Sequence, residues 1–502
     1  MLTFRANISR GDYIYAFIAG LMLVLAFSPF AWRPIAWISP AIFFWLNLKP
    51  MLRGQRMRMA WVYGIGAFAG GIHWIYISIH HFGGANSFVA ALMVCLFVLL
   101  VAMTLMLFGW LANYFLYQSE WLKLLLIFPA IWGVTEWFRG WFLTGFPWMQ
   151  LGHTQADTWL SGYIPVIGSL GASWIVALGS GALVLFFVGS MRERMLAIMV
   201  TLLTTSGGYF LTTVSWTQPI DDEIYVSMVQ GNIAQEDKWI PELRSEHIQK
   251  YLDMTADHLS NSHLIIWPET AIPDSFQRSM DDVVLPLQTI MKDVGNQLLV
   301  GGFHYDEQTQ KTYNAVMSIG ETREIYGKRH LVPFSEYTPF LEYLRWLEDF
   351  VRLPYDNVSR WEGKTNLMLA GQPMRISICY EDTYGEEMIE GLPEATMLVN
   401  VTNDGWFTGS IQSEQHVEIA RSRSLETGRY TLRSTNNGVS AIIDEKGQFV
   451  ATAKQYIDVV LAGYAQPMTG VTPYVRWGNW FLIVLLSSLL LLTGWLGKGK
   501  FR

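Results

Sequence analysis

Charged side chains are scarce in this chain. Only 15% of its 502 residues are Asp, Glu, Lys or Arg, while 51% are hydrophobic. Because soluble globular domains carry about 25% charged residues, this balance is typical of a membrane protein. The net charge is −7, and no basic cluster is present that would follow a phosphate backbone, so nucleic acid is not an expected partner.

Cysteine is scarcer still. The chain has 2 cysteines, which excludes a disulfide framework. Cys95 lies within the apolar run 90–97 and is predicted to be a small buried hydrophobic residue. Cys379 ends the strand-like run 375–378 and is followed by the carboxylates Glu381 and Asp382. A free thiol at that position favours catalysis over a structural role.

Apolar segments fill most of the chain before about residue 215. Crossing a bilayer takes about 17–25 predominantly apolar residues. Eight segments are candidates, of which the second and fifth are short: 12–30, 33–48, 59–80, 88–117, 121–138, 162–189, 194–214 and 478–497. The sequence therefore predicts about eight spans.

Lysine and arginine predict the orientation of these spans. With both termini in the cytoplasm, the basic residues concentrate on the cytoplasmic side, and the short outer loops carry only Arg33 and Arg139. The predicted organisation is a transmembrane domain of seven spans over 1–216, an outer domain over 217–470, and a last span with a cytoplasmic tail over 471–502. Glu136, near a predicted span end, is expected at the membrane interface.

The outer domain alternates strand-like and helical patterns. Strands are predicted over 223–229, 263–267, 297–303, 313–319, 324–326, 374–378, 396–401, 431–434, 440–443 and 449–452. Helices are predicted over 241–259, 281–294, 384–391 and 413–428. This alternation indicates an α/β domain with helices covering sheets. In such folds the chemistry gathers just beyond strand ends.

Three reactive side chains stand beside predicted strands. Glu269 and Cys379 directly follow theirs, and Lys328 follows a shorter one. A cysteine thiol titrates near pH ~8.5, so a neighbouring carboxylate is useful as the base that removes its proton during attack. An ammonium group favours the thiolate and stabilises an oxyanion. On spacing alone each residue also has an ordinary structural explanation: a helix-start carboxylate, a solvated lysine and an inert buried thiol.

Several short motifs occur in order around these residues. They are 267–270 with Glu269, 326–328 and 330–336 with Lys328 and Glu336, 378–381 with Cys379, and the further runs 145–148, 229–233, 238–239, 403–407 and 436–439. The chain thereby resembles the nitrilase superfamily, and over nearly its whole length it is similar to the apolipoprotein N-acyltransferase family, the membrane-bound branch. Ser335 departs from the pattern, where glycine is expected.

The resemblance implies a nitrilase-like αββα sandwich on a polytopic helical domain in the bacterial inner membrane, with the catalytic domain on the periplasmic face. It implies transfer of a fatty acyl chain from a phospholipid, commonly phosphatidylethanolamine, through a Cys379 thioester. The acceptor is the α-amine of the N-terminal S-diacylglyceryl cysteine of an apolipoprotein. No metal or organic cofactor is implied. The lack of an obvious assembly element favours a monomer.

The same matching implies roles around the Glu269–Lys328–Cys379 triad. Glu336 positions Lys328 or assists proton transfer, Tyr380 and Glu381 support the nucleophile, and Trp239 lies on a loop over the pocket. Surface packing, a helix-start carboxylate and an ordinary salt bridge are the structural alternatives for Trp239, Glu381 and Glu336.

Two other functions remain open at this point. One is a membrane-bound nitrilase-like amidase that hydrolyses a lipidic amide, and the other is a transporter or lipid-binding protein whose outer domain captures a ligand. In addition, apolar residues recur on one face of the segment 340–351, which predicts an amphipathic interfacial arm.

Overall fold

The computed structural model describes residues 8–339, 341–344, 346, 350 and 358–498. The chain divides into two units by its internal contacts. One comprises 1–75, 91–215 and 476–502, and the other comprises 76–90 and 216–475. The short segment 76–90 thus groups with the second unit, although the sequence assigned it to the transmembrane domain.

The first unit is built from apolar helices. Its α-helices span Arg10–Met22, Ile35–Leu48, Arg53–Gly71, Ser87–Met103 (which begins in the second unit), Met106–Ala112, Glu120–Leu122, Phe128–Trp141, Ile164–Val188, Met191–Thr212 and Trp480–Lys498. Short 3₁₀ and π turns extend several of them. Every predicted span contains helix.

Fewer of these helices than predicted are long and apolar enough to cross a membrane. In the described part of the chain four qualify, namely Ser87–Phe115, Glu120–Thr144, Trp159–Val188 and Met191–Thr212, and the bent pair Arg53–Gly71 and Ile75–Phe82 makes five if it is one span. Ile35–Leu48 and Trp480–Trp495 are apolar but shorter. At 1.5 Å per residue, a helix of 14 residues covers about 21 Å of a hydrocarbon layer about 30 Å thick.

Two predictions in the first unit are wrong. Cys95 is exposed rather than buried; it lies on a helix that is apolar around its whole circumference, a composition that suits a lipid-facing surface as well as a core. Glu136 is buried rather than interfacial, with 6% of its surface exposed. It accepts hydrogen bonds from Trp132 Nε1 at 3.0 Å and Leu151 N at 3.2 Å, because the segment Leu151–Gln155 covers it.

Among the residues that the structure describes, the second unit has fourteen strands. Their bounds are β1 Thr217–Pro219, β2 Ile224–Gln230, β3 Leu264–Ile266, β4 Gln297–Asp306, β5 Lys311–Ile319, β6 Arg323–Gly327, β7 Asn366–Leu369, β8 Gln372–Ile378, β9 Met397–Thr402, β10 Tyr430–Thr435, β11 Ala441–Ile443, β12 Phe449–Thr452, β13 Val459–Ala465 and β14 Met468–Gly470. Ten of them match predicted strands with shifted ends, and β1, β7, β13 and β14 are additional.

These strands form two six-stranded sheets and one small pair. The first sheet has the order β13-β2-β3-β4-β5-β6, the second has the order β12-β11-β10-β9-β8-β7, and β1 pairs with β14. The central strands are parallel in each sheet: β2, β3 and β4 in the first, and β8, β9 and β10 in the second. Parallel strands bring their carboxyl ends to one edge, where the polar residues that follow them meet.

The two sheets pack face to face with helices outside them. Side chains from both sheets form one buried cluster that includes Val226, Ile266, Ile376 and Val399. The helices α1 (Arg244–Ala256) and α2 (Leu285–Val294) cover the outer face of the first sheet, and α3 (Gln412–Thr427) covers the second. This arrangement is the αββα sandwich that the resemblance implies.

The helix boundaries differ from the predicted ones. The predicted helix 241–259 is a 3₁₀ turn, Pro241–Leu243, followed by α1, and the predicted helix 384–391 is the single turn Gly385–Met388. The helix α3 ends at Thr427 and is followed by Gly428, whose φ of 63° is the left-handed conformation that favours glycine at this position. The predicted amphipathic arm falls largely on residues 340, 345, 347–349 and 351, which lie outside the described residues, so it stays a prediction.

Candidate active site

Glu269 is held in a tight turn just after β3. Its carboxylate accepts hydrogen bonds on both oxygens, from Asn314 Nδ2 at 2.8 Å and from the Asn403 backbone N–H at 2.9 Å. The turn lies against Gly301 of β4, where an added Cβ atom would stand 2.3 Å from the Pro268 carbonyl oxygen. Glycine at this position therefore lets the backbone of the Glu269 turn approach the sheet.

Lys328 follows β6 and is almost fully buried, with 2% of its surface exposed. Its Nζ atom donates to Glu336 Oε1 at 2.9 Å and lies 3.8 Å from Glu269 Oε1. Burial alone would lower the pKa of Lys328, but the carboxylates of Glu336 and Glu269 outweigh burial and raise it above its ordinary value. Lys328 is therefore a fixed ammonium group between two carboxylates.

Asn314 links the two carboxylates from the neighbouring strand β5. Its Nδ2 group donates to Glu336 Oε1 at 2.9 Å as well as to Glu269. The second oxygen of Glu336 accepts from the Val332 backbone N–H at 2.8 Å. Glu269, Lys328 and Glu336 therefore belong to one buried hydrogen-bonded group.

Cys379 occupies a special backbone position at the end of β8. Its φ is +53°, a left-handed conformation that non-glycine residues rarely adopt and that is enriched at functional sites. A 3₁₀ turn, Cys379–Thr383, begins at the cysteine itself, ahead of the helix predicted over 384–391. Asn400 Nδ2 donates to the Cys379 carbonyl oxygen at 3.1 Å, so the neighbouring strand β9 fixes this turn.

The surroundings of the Cys379 thiol favour its protonated form over the thiolate. Burial raises the pKa of Cys379, the Glu269 carboxylate raises it further, and the Lys328 ammonium offsets part of this effect. The cysteine is half-buried rather than sealed. A thiol of this kind needs a base when it attacks, and the structure brings Glu269, Lys328 and Cys379 into electrostatic contact.

Glu381 joins the strand of the nucleophile to the strand of the lysine. Its carboxylate accepts from the backbone N–H groups of Ile378 at 2.6 Å, Arg329 at 2.6 Å and His330 at 3.1 Å, and from the Tyr326 hydroxyl at 2.9 Å. Burial raises its pKa, although Arg375 and the three N–H groups favour the ionised form. Glu381 thus bridges the two strand ends, and because it lies in the first turn of the 3₁₀ segment and accepts from Ile378 N–H, it is a helix-start carboxylate as well.

Tyr380 and Trp239 are the remaining predicted site residues. Tyr380 accepts a hydrogen bond from the Tyr384 hydroxyl at 3.0 Å, and His330 stacks on Tyr384 with ring centroids 3.7 Å apart. Trp239 is exposed over 42% of its surface and its ring centroid is 6.0 Å from that of Phe303.

A buried charged network under the nucleophile was not predicted. His416 of α3 contacts Asp382 at 2.8 Å and Asp404 at 3.2 Å, and Arg433 of β10 contacts the same two carboxylates at 3.2 and 3.3 Å. Burial would raise the pKa of Asp404, but hydrogen bonding to His416 and the charges of Arg433 and His416 hold it well below its usual range.

This network connects to both reacting side chains. Arg433 Nη1 donates to Asn400 Oδ1 at 2.6 Å, and Asn400 in turn binds the Cys379 carbonyl. Asp404 lies next to Asn403, whose N–H binds Glu269. The sequence signals were partial: Asn403 and Asp404 belong to the run 403–407, but Asn314, His416 and Arg433 lie outside every quoted motif.

Sequence comparisons identify the family of this chain. The sequence profile "Apolipoprotein N-acyltransferase N-terminal domain" matches residues 19–182, and the profile "Carbon-nitrogen hydrolase" matches residues 225–474. An apolipoprotein N-acyltransferase of Methylococcus capsulatus is 40% identical, with 95% of this chain and 94% of the relative covered. The apolipoprotein N-acyltransferase of Coxiella burnetii is 36% identical, with 96% of this chain and 99% of the relative covered. That of Vibrio parahaemolyticus is 34% identical, with 97% of each chain covered. This chain therefore belongs to the apolipoprotein N-acyltransferase family.

Proposed function

We propose that this protein transfers a fatty acyl chain from a phospholipid to the α-amine of the S-diacylglyceryl cysteine that begins an apolipoprotein. The observation that carries the proposal is the meeting of Glu269, Lys328 and Cys379 at strand ends, as base, cation and thiol. The names of the relatives supply the acyl acceptor, and phosphatidylethanolamine is the donor we expect.

In the first half-reaction the Cys379 sulfur attacks the ester carbonyl carbon of the phospholipid. Glu269 takes the thiol proton, and the Lys328 ammonium stabilises the oxyanion, an effect worth about 3 kcal/mol per donor. Collapse of the tetrahedral intermediate breaks the ester bond. The lysophospholipid leaves with the proton from Glu269, and the acyl chain remains on Cys379 as a thioester.

In the second half-reaction the lipoprotein amine attacks the thioester carbonyl. Glu269 takes a proton from the attacking nitrogen, and Lys328 again stabilises the oxyanion. Collapse forms the amide and expels Cys379 sulfur, which recovers its proton from Glu269. The reaction is therefore ping-pong, with one residue acting as base and acid in each half.

The supporting residues act through Glu269, Lys328 and Cys379. Glu336 keeps Lys328 charged and placed, because it is the direct partner of Nζ. Glu381 holds the strand ends of Cys379 and Lys328 at a fixed separation, and Tyr380 extends the wall next to the nucleophile. Trp239, with its exposed ring, contacts the acyl chain at the mouth of the pocket.

We further propose a multi-pass protein of the bacterial inner membrane that acts as a monomer. The apolar helices and the bacterial relatives support membrane insertion. The distribution of Lys and Arg supports eight spans with both termini in the cytoplasm. The predicted boundaries at 216 and 470 then place the catalytic domain on the periplasmic face.

Intact mass spectrometry after incubation with phosphatidylethanolamine tests the first half-reaction. The wild type is expected to gain one fatty acyl mass that maps to Cys379, and Cys379→Ala is expected to gain none. Cys95→Ala is the matched control, because Cys95 is the other cysteine, and it should acylate like the wild type. A folded wild-type protein that never acquires the adduct would contradict the thioester proposal.

The match to a carbon-nitrogen hydrolase profile favours a second candidate, a membrane-bound amidase that hydrolyses a lipidic amide. The two functions differ in the second step, since an amidase passes the acyl group to water. Product analysis with and without a diacylglyceryl peptide separates them. The acyltransferase yields an N-acylated peptide, whereas the amidase yields free fatty acid at the same rate in both reactions.

A further inference from the structure

Lys238 is a second buried amine beside the triad. Its side chain is 2% exposed, and its Nζ atom donates to the backbone carbonyl oxygen of Glu269 at 3.0 Å. An ammonium group has three N–H donors, yet among the residues that the structure describes this carbonyl is its one hydrogen-bond acceptor. Lysine is rarely buried without a carboxylate partner, so its position needs an explanation.

The charges of the site explain why a lysine is buried at position 238. Glu269 accepts hydrogen bonds on both oxygens and Glu336 on both of its own, which is the pattern of two ionised carboxylates. Lys328 contributes a single positive charge between them. Without another cation the buried group would carry net negative charge, which is costly in a low-dielectric interior and opposes a thiolate.

We propose that Lys238 is the charge-balancing residue of this site and that it stabilises the anion which develops on Cys379 while it anchors the Glu269 turn. It acts through Glu269 and Cys379 and is therefore a positioning residue. The inference deepens the proposed function and rests on it for the identity of the nucleophile.

The protonation of Lys238 gives the proposal a pH signature. Burial lowers the pKa of Lys238 to about 8, while the charges of Glu269 and Cys379 act in the opposite direction. Burial and the nearby charge of Lys238 lower the pKa of His247 in α1, so this imidazole is also within electrostatic range of Lys238. Lys238 is thus positively charged below about pH 8 and neutral above it. The reactivity of Cys379 should rise with pH as more thiolate forms, and should rise less steeply once Lys238 loses its charge.

Alkylation by iodoacetamide measures the pH dependence of Cys379 reactivity without any lipid. The full-length protein in detergent, with Cys95→Ala to remove the exposed thiol, is alkylated between about pH 6 and about pH 10 and analysed by mass spectrometry. Lys238→Met should react about tenfold more slowly at neutral pH and approach the parent rate at the alkaline end. Lys238→Arg keeps its positive charge over this whole pH range. The alkylation rate of Cys379 in this variant should therefore stay near the parent rate at neutral pH, and it should keep rising steeply above about pH 8, where the parent curve flattens.

Lys250→Met is the matched control, because Lys250 forms an exposed pair with Asp458, and it should behave like the parent. The proposal is overturned if Lys238→Met matches the parent at every pH. It is also overturned if that variant is slower by the same factor at every pH, since a purely structural defect would do this. If Lys238→Met does not fold, Lys238→Arg still tests the proposal: an alkylation curve that flattens at alkaline pH as the parent curve does would overturn it.

The phospholipid adduct is measured on the same preparations. A parent protein that never acylates, yet shows the expected alkylation profiles, would refute acyl transfer and leave the charge-balancing role in place. A parent protein that acylates while Lys238→Met alkylates normally would refute only the role of Lys238.

Discussion

Replacing Glu381 by glutamine tests how the nucleophile and the lysine are held together. The carboxylate accepts from three backbone N–H groups, two on Oε1 and one on Oε2, and also from the Tyr326 hydroxyl. A glutamine has one acceptor oxygen, and its NH₂ group must face either Ile378 N–H or the N–H groups of Arg329 and His330. At least one buried donor therefore loses its acceptor in either orientation.

The cost follows from these contacts. A buried N–H group without an acceptor costs about 1–3 kcal/mol, and hydrogen bonds to a charged acceptor are worth about 1.5–3 kcal/mol. Arg375, which is 1% exposed, also loses the nearby negative charge. We expect Glu381→Gln to lower the free energy of unfolding by about 3 kcal/mol, which corresponds to roughly 6–12 °C in the melting temperature of a domain of this size.

Thermal unfolding of the detergent-solubilised protein, followed by acyl-transfer assays on the folded fraction, checks this prediction. Transfer should fall by about tenfold or more, because small displacements of reacting groups are costly. Glu390→Gln is the control, since Glu390 forms an exposed pair with Arg329, and exposed pairs contribute about 0.2–1 kcal/mol. If Glu381→Gln melts within 2 °C of the wild type and transfers normally, Glu381 does not hold the two strands together.

Three further predictions concern the same domain. Lys328→Met should abolish transfer and also destabilise the protein, because Glu336 loses its partner; adding Glu336→Gln should restore the melting temperature but not the activity. Asp404 has a lowered pKa, so its stabilising contribution is present above about pH 4 and is lost as the pH falls through the native pKa; Asp404→Asn should therefore melt lower than the wild type at neutral pH, and the gap should narrow in acid. Gly301→Ala should displace the Glu269 turn, since its Cβ atom would lie 2.6 Å from Thr270 N, and should abolish transfer. Gly320→Ala, which meets only the side chain of Gln297 and the Asn296 carbonyl oxygen at 3.1–3.7 Å, should remain active.

Strand-end charges were readable from the sequence because they interrupt apolar runs. Glu269 follows a fully buried strand and Cys379 follows a strand whose last five residues are buried, so the change of pattern marks the site. The strand β13 was missed although its residues form a continuous apolar run, because a run of this length fits either a strand or a buried helical segment. It is an edge strand of the first sheet with mostly half-buried residues. The strand β7 has four residues, and so short a run gives a weak pattern.

The neutral and paired residues of the site could not be predicted in the same way. Asn314 looks like any polar residue of a strand, and only the fold brings its amide between two carboxylates. His416 lies in α3 and Arg433 in β10, so their shared contact with Asp382 and Asp404 depends on how α3 packs on the second sheet. The left-handed backbone of Cys379 likewise leaves no trace in residue type, because cysteine has no preference for that conformation.

The division of the site between two sheets has a consequence for how the protein tolerates change. Glu269 and Lys328 follow strands of the first sheet and Cys379 follows a strand of the second, so the placement of the base relative to the sulfur depends on how the two sheets pack, with their mean planes about 10 Å apart. Shortening a side chain such as Ile376 in the apolar layer between the sheets removes no reacting group, yet it lets the sheets settle closer or shift. Evolutionary drift in this interior is therefore constrained by reaction rate as well as by stability.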